Sequence, residues 1–275
     1  MQPDAITKLL RTRFEGVRWG PGDKPVLVAD GRLYRVTDLD CPVSAGTAYV
    51  VGVNQASFEL LARFLRSEII HFYEMRVADL AALTSFTGLR QLALCWNTKL
   101  EDISVLAAIE HLEVLVLSDT PKVHDLAPLA QCSLLSALEF SGGIQSKNYA
   151  ESLTPLAQMP SLEDLVLANL KVETGGLRPL ADCKRLRNLW VSNQFPTEDY
   201  AFLSVKLPNV QCNMFQPFVP LSQPVGGKDA MIVGKGRGFL NSREDAVKIE
   251  KYKLKFAELQ SRFATDAFKG GLRAL

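Results

Sequence analysis

Apolar residues along this chain fall into a recurring phrase with the spacing L-x-x-L-x-L. The five copies are Leu89-x-x-Leu92-x-Leu94, Leu112-x-x-Leu115-x-Leu117, Leu135-x-x-Leu138-x-Phe140, Leu162-x-x-Leu165-x-Leu167 and Leu186-x-x-Leu189-x-Val191. Their opening leucines lie 23, 23, 27 and 24 residues apart. The last two apolar positions of each phrase alternate with outward residues, the period of a strand with one buried face. Each copy therefore predicts a short strand and then a return segment anchored by a second apolar pair. These segments are Asp102-Ile103-x-x-Leu106, Asp125-Leu126-x-x-Leu129, Ser152-Leu153-x-x-Leu156, Gly176-Leu177-x-x-Leu180 and Asp199-Tyr200-x-x-Leu203. An Asp at the start of a return can satisfy free N–H groups of a short helical turn. Pro128, Pro155 and Pro179 suit an early helical position. Ala107, Ala130, Ala157 and Ala181 follow the anchors, where neighbouring coils must approach.

A shortened copy, Ile70-His71-Phe72 followed by Asp79-Leu80-x-x-Leu83, precedes the five, so the array spans about residues 66–215. One coil cannot bury its own apolar face, and such a stack needs capped ends. In the N-terminal flank, helical spacing predicts a helix over Ala5 to Phe14. Asp30-Gly31 inside Val26 to Val36 predicts a hairpin with positive φ angles at its turn. A third strand over Ala48 to Val53 and a helix over Phe58 to Leu65 follow. Beyond Phe215, Pro217, Pro220, Pro224, Gly226 and Gly227 mark an irregular exit, and Ala230 to Val233 reads as a strand. Ser242 and Asp245 predict the cap of a final helix whose apolar stripe is Ile249, Tyr252, Phe256, Leu259 and Phe263.

The phrase and its D-[IL]-x-x-L return resemble the leucine-rich-repeat family, especially the short repeats of internalin-like bacterial proteins. The resemblance covers a little over half the chain. It implies an α/β solenoid of about five to six coils with a parallel sheet on the concave face. An α+β N-terminal cap (1–65) and a helical C-terminal cap (216–275) would flank the array (66–215). It implies binding of a protein partner as the default function, and an immunity-type or effector-type bacterial role is compatible with it. The family usually places Asn three residues after the last strand leucine, to satisfy backbone groups inside the turn. Asn97 sits there and Thr120 stands in its place one coil on. Gly143, Leu170 and Gln194 depart from the pattern, and Asn169 and Asn193 fall one residue early. Irregular later turns are expected, with a loop insertion around Gly142 to Ala150.

Charge adds an exclusion. With 31 basic and 30 acidic residues the net charge is +1, which gives no global attraction to nucleic acid or an anionic membrane. A hydrophobic share of 47% is that of a folded chain. No stretch approaches the roughly 18 apolar residues of a spanning helix, and MQPDAITKLLRTRFEG does not read as a signal peptide. Cys41, Cys95, Cys132, Cys183 and Cys212 are scattered, as expected of reduced thiols in the cytoplasm rather than a disulfide framework or zinc site. No metal, cofactor or catalytic residue is expected.

With the leucines inward, the intervening residues should form the exposed concave face: Gln91 and Cys95, Val114 and Val116, Glu139, Asp164 and Val166, Asn188 and Trp190. Trp96, Asp119 and Asn193 should lie at its rim. Apolar outward residues, Trp above all, are the type that anchors protein partners. A terminal segment folded over the sheet would explain the same valines. Three weaker signals remain. Val233 to Gly238, V-G-K-G-R-G, is a basic glycine-rich turn without the Walker spacing. The segment 228–275 carries eleven Lys/Arg and six Asp/Glu, with no aromatics interleaved on the basic face for nucleic acid. His71 lies on the strand beside Cys95, the one conceivable nucleophile–base pair. The alternative function is a ligand-binding or enzymatic domain made jointly by the two flanks.

Overall fold

The computed structural model describes residues 4–10, 20, 22–144 and 146–271, with side chains through residue 265. Helix α1 (Asp4–Leu10) comes first, and its expected continuation to Phe14 lies outside the described residues. Strands β1 (Val26–Ala29) and β2 (Arg32–Arg35) turn at Asp30 and Gly31, whose φ angles are 44° and 82° as the hairpin signal requires. Strand β3 (Val43–Val51), helix α2 (Gln55–Phe64) and strand β4 (Leu65–Met75) follow. Asn54 caps α2 reciprocally: its Oδ1 accepts from Ser57 N at 3.0 Å, and Ser57 Oγ accepts from Asn54 N at 2.9 Å.

The coils supply β5 (Gln91–Asn97), β6 (Val114–Ser118), β7 (Ala137–Ser141), β8 (Asn148–Ser152), β9 (Asp164–Ala168), β10 (Leu170–Thr174) and β11 (Asn188–Val191). Their returns are single tight turns at Ala81–Ser85, Ser104–Ala108, Ala127–Gln131 and Arg178–Asp182, with one short helix, α3 (Thr154–Ala157). Helix α4 (Thr197–Lys206), strands β12 (Phe218–Val225), β13 (Lys228–Ile232) and β14 (Phe239–Leu240), and helix α5 (Ala246–Gly271) complete the chain.

Nine strands form one sheet in the order β11-β9-β7-β6-β5-β4-β3-β1-β2, parallel from β3 to β11. Two registered rows run across it. Ile70, Leu92, Leu115, Leu138, Leu165 and Leu189 form one, and Phe72, Leu94, Leu117, Phe140, Leu167 and Val191 the other. Every one of these side chains is buried against the return anchors. The architecture is a leucine-rich-repeat solenoid. Its N-terminal flank adds three strands to the same sheet, while β12–β14 and α5 close the opposite end.

The returns are fixed as the Asp spacing suggests. The backbone N–H two residues on donates to Asp79 (2.7 Å), Asp102 (2.7 Å) and Asp125 (2.8 Å) Oδ1, and Ser152 Oγ does the same for Thr154 N at 3.1 Å. Asp199 breaks the series. It lies inside the first turn of α4 and reaches back instead, accepting from Leu177 N at 3.1 Å. The cap of α5 also differs: Asn241 Oδ1, not Ser242, accepts from the next turn (Arg243 N 2.9 Å, Glu244 N 3.1 Å), while Asp245 Oδ2 accepts from Asn241 N.

Inside the turns, Asn97 Nδ2 donates to Val77 O at 2.8 Å, the role its position implies. In the next coil the amide comes from the insertion. Buried Asn148 accepts from Thr120 N at 3.0 Å and donates to Thr120 Oγ1 at 3.2 Å. The inserted residues are partly strand, since β8 pairs in parallel with β10. Gly142 is required there, because a Cβ would lie 2.3 Å from Asn169 O and 2.7 Å from Asn148 N. We expect Asn148→Ala to leave the Thr120 N–H buried without a partner and to cost about 2 kcal/mol, read by urea denaturation.

Candidate functional site

Residues that alternate with the leucines point to the opposite face of the sheet, and α1 lies on that face. Ile6 and Leu9 are wholly buried in a cluster with Ala93, Cys95, Val114, Val116, Ala137 and Val166. Each of the two side chains contributes roughly 2 kcal/mol of apolar burial. The expectation of an open concave centre is therefore corrected: Val114, Val116, Val166 and Cys95 are covered by the chain's own N-terminal helix. Trp190 is half-buried at the edge of the same cluster.

The other expected contact residues divide by position. Asn188 Nδ2 donates to Asp164 Oδ1 at 2.7 Å, so these two engage each other. Half-buried Gln91 keeps an Oε1 without a partner among the described residues. Asn193 is used within the chain, donating to Ile232 O and accepting from Gly234 N, both at 2.7 Å. Its rim role is corrected to a tether for the C-terminal flank. Glu139 is buried, and only Trp96 and Asp119 remain at an accessible rim.

Glu139 is the electrostatic exception on this face. It stands between Val116 and Val166 in register, is 5% exposed, and its Oε2 makes no hydrogen bond among the described residues. Burial pushes its carboxyl upward, opposed by the Ser141 hydroxyl, which donates to Oε1 at 2.5 Å. Burial, reinforced by Glu139 and Asp119, also pushes the Cys95 thiol up. A nucleophilic thiol needs the opposite shift. His71 moreover faces Ala93, while Cys95 faces Tyr73, so the imidazole is one diagonal removed and packs on Tyr49. The Cys95–His71 reading is not supported. All five cysteines are free thiols. Burial pushes Cys132 up to about 11 and, with Asp182 nearby, Cys183 up to about 12. Among the described residues no cluster of His, Cys, Asp and Glu is placed to hold a metal ion. Among them, too, no helix is long and apolar enough to cross a membrane.

At the strand ends the coil turns through the left-handed region. Glu74, Trp96, Asp119 and Asn169 have φ angles of 57°, 56°, 54° and 43°. Trp96 is 44% exposed there and meets Tyr73 edge-on, with ring centroids 5.9 Å apart. Tyr73, Trp96, Asp119 and the fully exposed Ile144 line a cavity of about 500 Å³. The Ser146 hydroxyl donates to Asp119, holding the insertion against this rim. Tyr73 and Ile144 were missed in the sequence. Tyr73 lies beyond the recognised phrase, and Ile144 lies in the insertion, where no repeat position predicts a neighbour.

The two flanks lie at opposite ends of the strand order, β1–β3 at one and the β12–β14 segment at the other. Eight spacings of roughly 4.8 Å put the sheet edges about 38 Å apart along the sheet. A single domain made jointly by both flanks is not what the chain builds.

No protein family and no curated protein matches the chain. Among solved structures, an internalin C2 from Listeria monocytogenes is similar at 25% identity and a TM-score of 0.47, over 61% of this chain and 69% of that one. An internalin, InlF, from the same organism is similar at 20% identity and a TM-score of 0.41, over 66% and 63% of the two chains. A TLR13–ssRNA13 complex is similar at 17% identity and a TM-score of 0.42, over 58% of this chain and 26% of that one.

Two outcomes are expected. An acid whose carboxyl is raised in the folded state binds more protons folded than unfolded, so stability falls as pH rises above the ordinary Glu value. Glu139→Gln removes that penalty and should raise stability at pH 8 while leaving it little changed at pH 4, read by urea denaturation at both. Ile6→Asp or Leu9→Asp should unseat α1, and a rise in ANS fluorescence with a far-UV CD spectrum that loses no more than the small contribution of α1 would report the bared valines.

Proposed function

We propose that this chain is a non-enzymatic interaction module that binds a protein partner at the rim where the strands end. The observation that carries this reading is Trp96. A left-handed backbone costs a bulky L-residue about 1–2 kcal/mol, whereas Asn or Gly accepts it readily. Folding alone would favour a small residue at this position. Instead an indole stands there, 44% exposed beside Tyr73 and Ile144. Exposed Trp and Tyr grouped around a concavity are the usual anchors of a binding energy hot spot. Asp119 at the same rim supplies an acceptor that could fix the orientation of a donor on the partner.

Helix α1 supports the reading in a second way. The concave centre accepts an amphipathic helix, and a short isolated helix has little stability of its own. Its place on the sheet depends on docking, so a partner's helix could compete for the same valines. A cytoplasmic immunity-type or effector-type bacterial role is the finer form of this proposal. The immunity or effector role rests on the resemblance of the repeat phrase, and the cytoplasmic placement on the scattered cysteines and the N-terminal residues.

Trp96→Asn tests the reading. It should keep the fold and raise stability by up to about 1 kcal/mol, since Asn tolerates the left-handed region. Capture from a native lysate should at the same time lose its wild-type partners. If the folded variant captures the same proteins in the same yield, the rim does not carry the binding.

A further inference from the structure

A second cavity, of about 650 Å³, lies at the C-terminal end of the array between the last coils and the segment that follows them. Its size is that of a small-molecule site. Lys147, Lys171, Arg178 and Lys235 line it, each from a different stretch of chain. Asp199 is the one acid among the described lining residues, and it is engaged by Leu177 N at 3.1 Å and Arg178 Nε at 3.5 Å. The lining therefore carries four positive charges against one negative. A concavity of one sign concentrates its field and attracts multiply charged anions.

The seat of Lys235 is built by local hydrogen bonds. Asn193 takes both Ile232 O and Gly234 N, Thr197 Oγ1 donates to Val233 O at 2.9 Å, and Lys235 N donates to Phe195 O at 2.7 Å. Gly234 has φ 131°, and a Cβ there would lie 2.1 Å from Thr197 Oγ1, so the glycine is required for this close approach. The V-G-K-G-R-G turn thus acts by delivering one ammonium group to the cavity, not by wrapping a phosphate in backbone. Gln194 also lines the cavity, and its buried Nε2 donates to none of the described residues. Phe195, Val172 and Leu170 give the remaining wall an apolar character.

We infer that this cavity binds a phosphorylated small molecule, a phosphomonoester on an apolar body. The dianionic phosphate meets Lys171, Arg178 and Lys235, and the body lies against Phe195 and Val172. A monocarboxylate would leave most of the cationic charge unmatched, and a neutral apolar molecule would leave all of it. This site is separate from the rim and does not depend on the rim reading.

Calorimetric titration of the full chain with phenyl phosphate, inorganic phosphate and phenol tests the proposal. Phenyl phosphate should bind saturably and about tenfold tighter than inorganic phosphate, an increment of about 1.4 kcal/mol from the apolar body. Phenol should show no binding. Lys171→Gln/Lys235→Gln should weaken phenyl phosphate by about a hundredfold, tenfold for each lost charge-assisted contact. Both side chains are exposed, so thermal unfolding of the double variant should match wild type. The proposal is overturned if phenyl phosphate does not bind saturably, if phenol binds as well, or if the double variant keeps wild-type affinity.

Discussion

The structure depends on one constraint: a single coil has an apolar row and nothing of its own to cover the row's edges. Leu115 is buried because Leu92 lies to one side in register and Leu138 to the other. Parallel pairing at this register is the arrangement that brings every row together, since a shift of one residue would turn the leucines to the other face. The returns must then match the strand spacing. Asp79, Asp102 and Asp125 achieve this by each holding a backbone N–H two residues on, so that the anchors Leu83, Leu106 and Leu129 reach the same depth. Burial sets the period, and hydrogen bonds keep the returns from drifting.

A sheet has a second face, and the leucine rows do nothing for it. Val114, Val116 and Val166 make that face apolar, and exposed it would be a contiguous hydrophobic surface. Helix α1 covers it with Ile6 and Leu9. The coupling runs in both directions, because a short helix gains its order from the sheet it protects. Glu139 opposes this closure. Its carboxylate prefers water, yet it sits between two valines with Oε2 unpartnered among the described residues. The closed face is thus held by apolar burial against a polar cost.

Period-two alternation made the two faces legible in the sequence, and the constant Asp spacing made the returns legible. What covers a face was not, because alternation says that Val116 points away from Leu115 and is silent on its neighbour. The same gap explains Asn193. An amide beyond a strand reads as a rim contact, and only the tertiary path of Ile232 and Gly234 shows it to be a tether. Asn148 went unseen for a related reason. It fills the turn position of one coil from an insertion in the next, 28 residues from its partner Thr120. Asp199 kept the spacing of its predecessors yet serves a different N–H, since the longer helix α4 replaces the tight turn there.

These departures from the repeat rule are not scattered. The leucine face follows the rule in every coil, whereas the exceptions collect where strands end and chain direction changes. Trp96 occupies a left-handed position better suited to Asn, the insertion seats Ile144 beside it, and Asn193 carries the turn that brings in Lys235. A residue inside the rows is bound by packing on both sides, so a change there disturbs two coils. At the strand ends each coil is constrained only by its turn, and side chains there can be chosen for something other than folding. Local conflicts with a fold's own rules are expected at functional or strained positions. Both candidate sites stand on that edge, the rim in the early coils and the cationic cavity at the last.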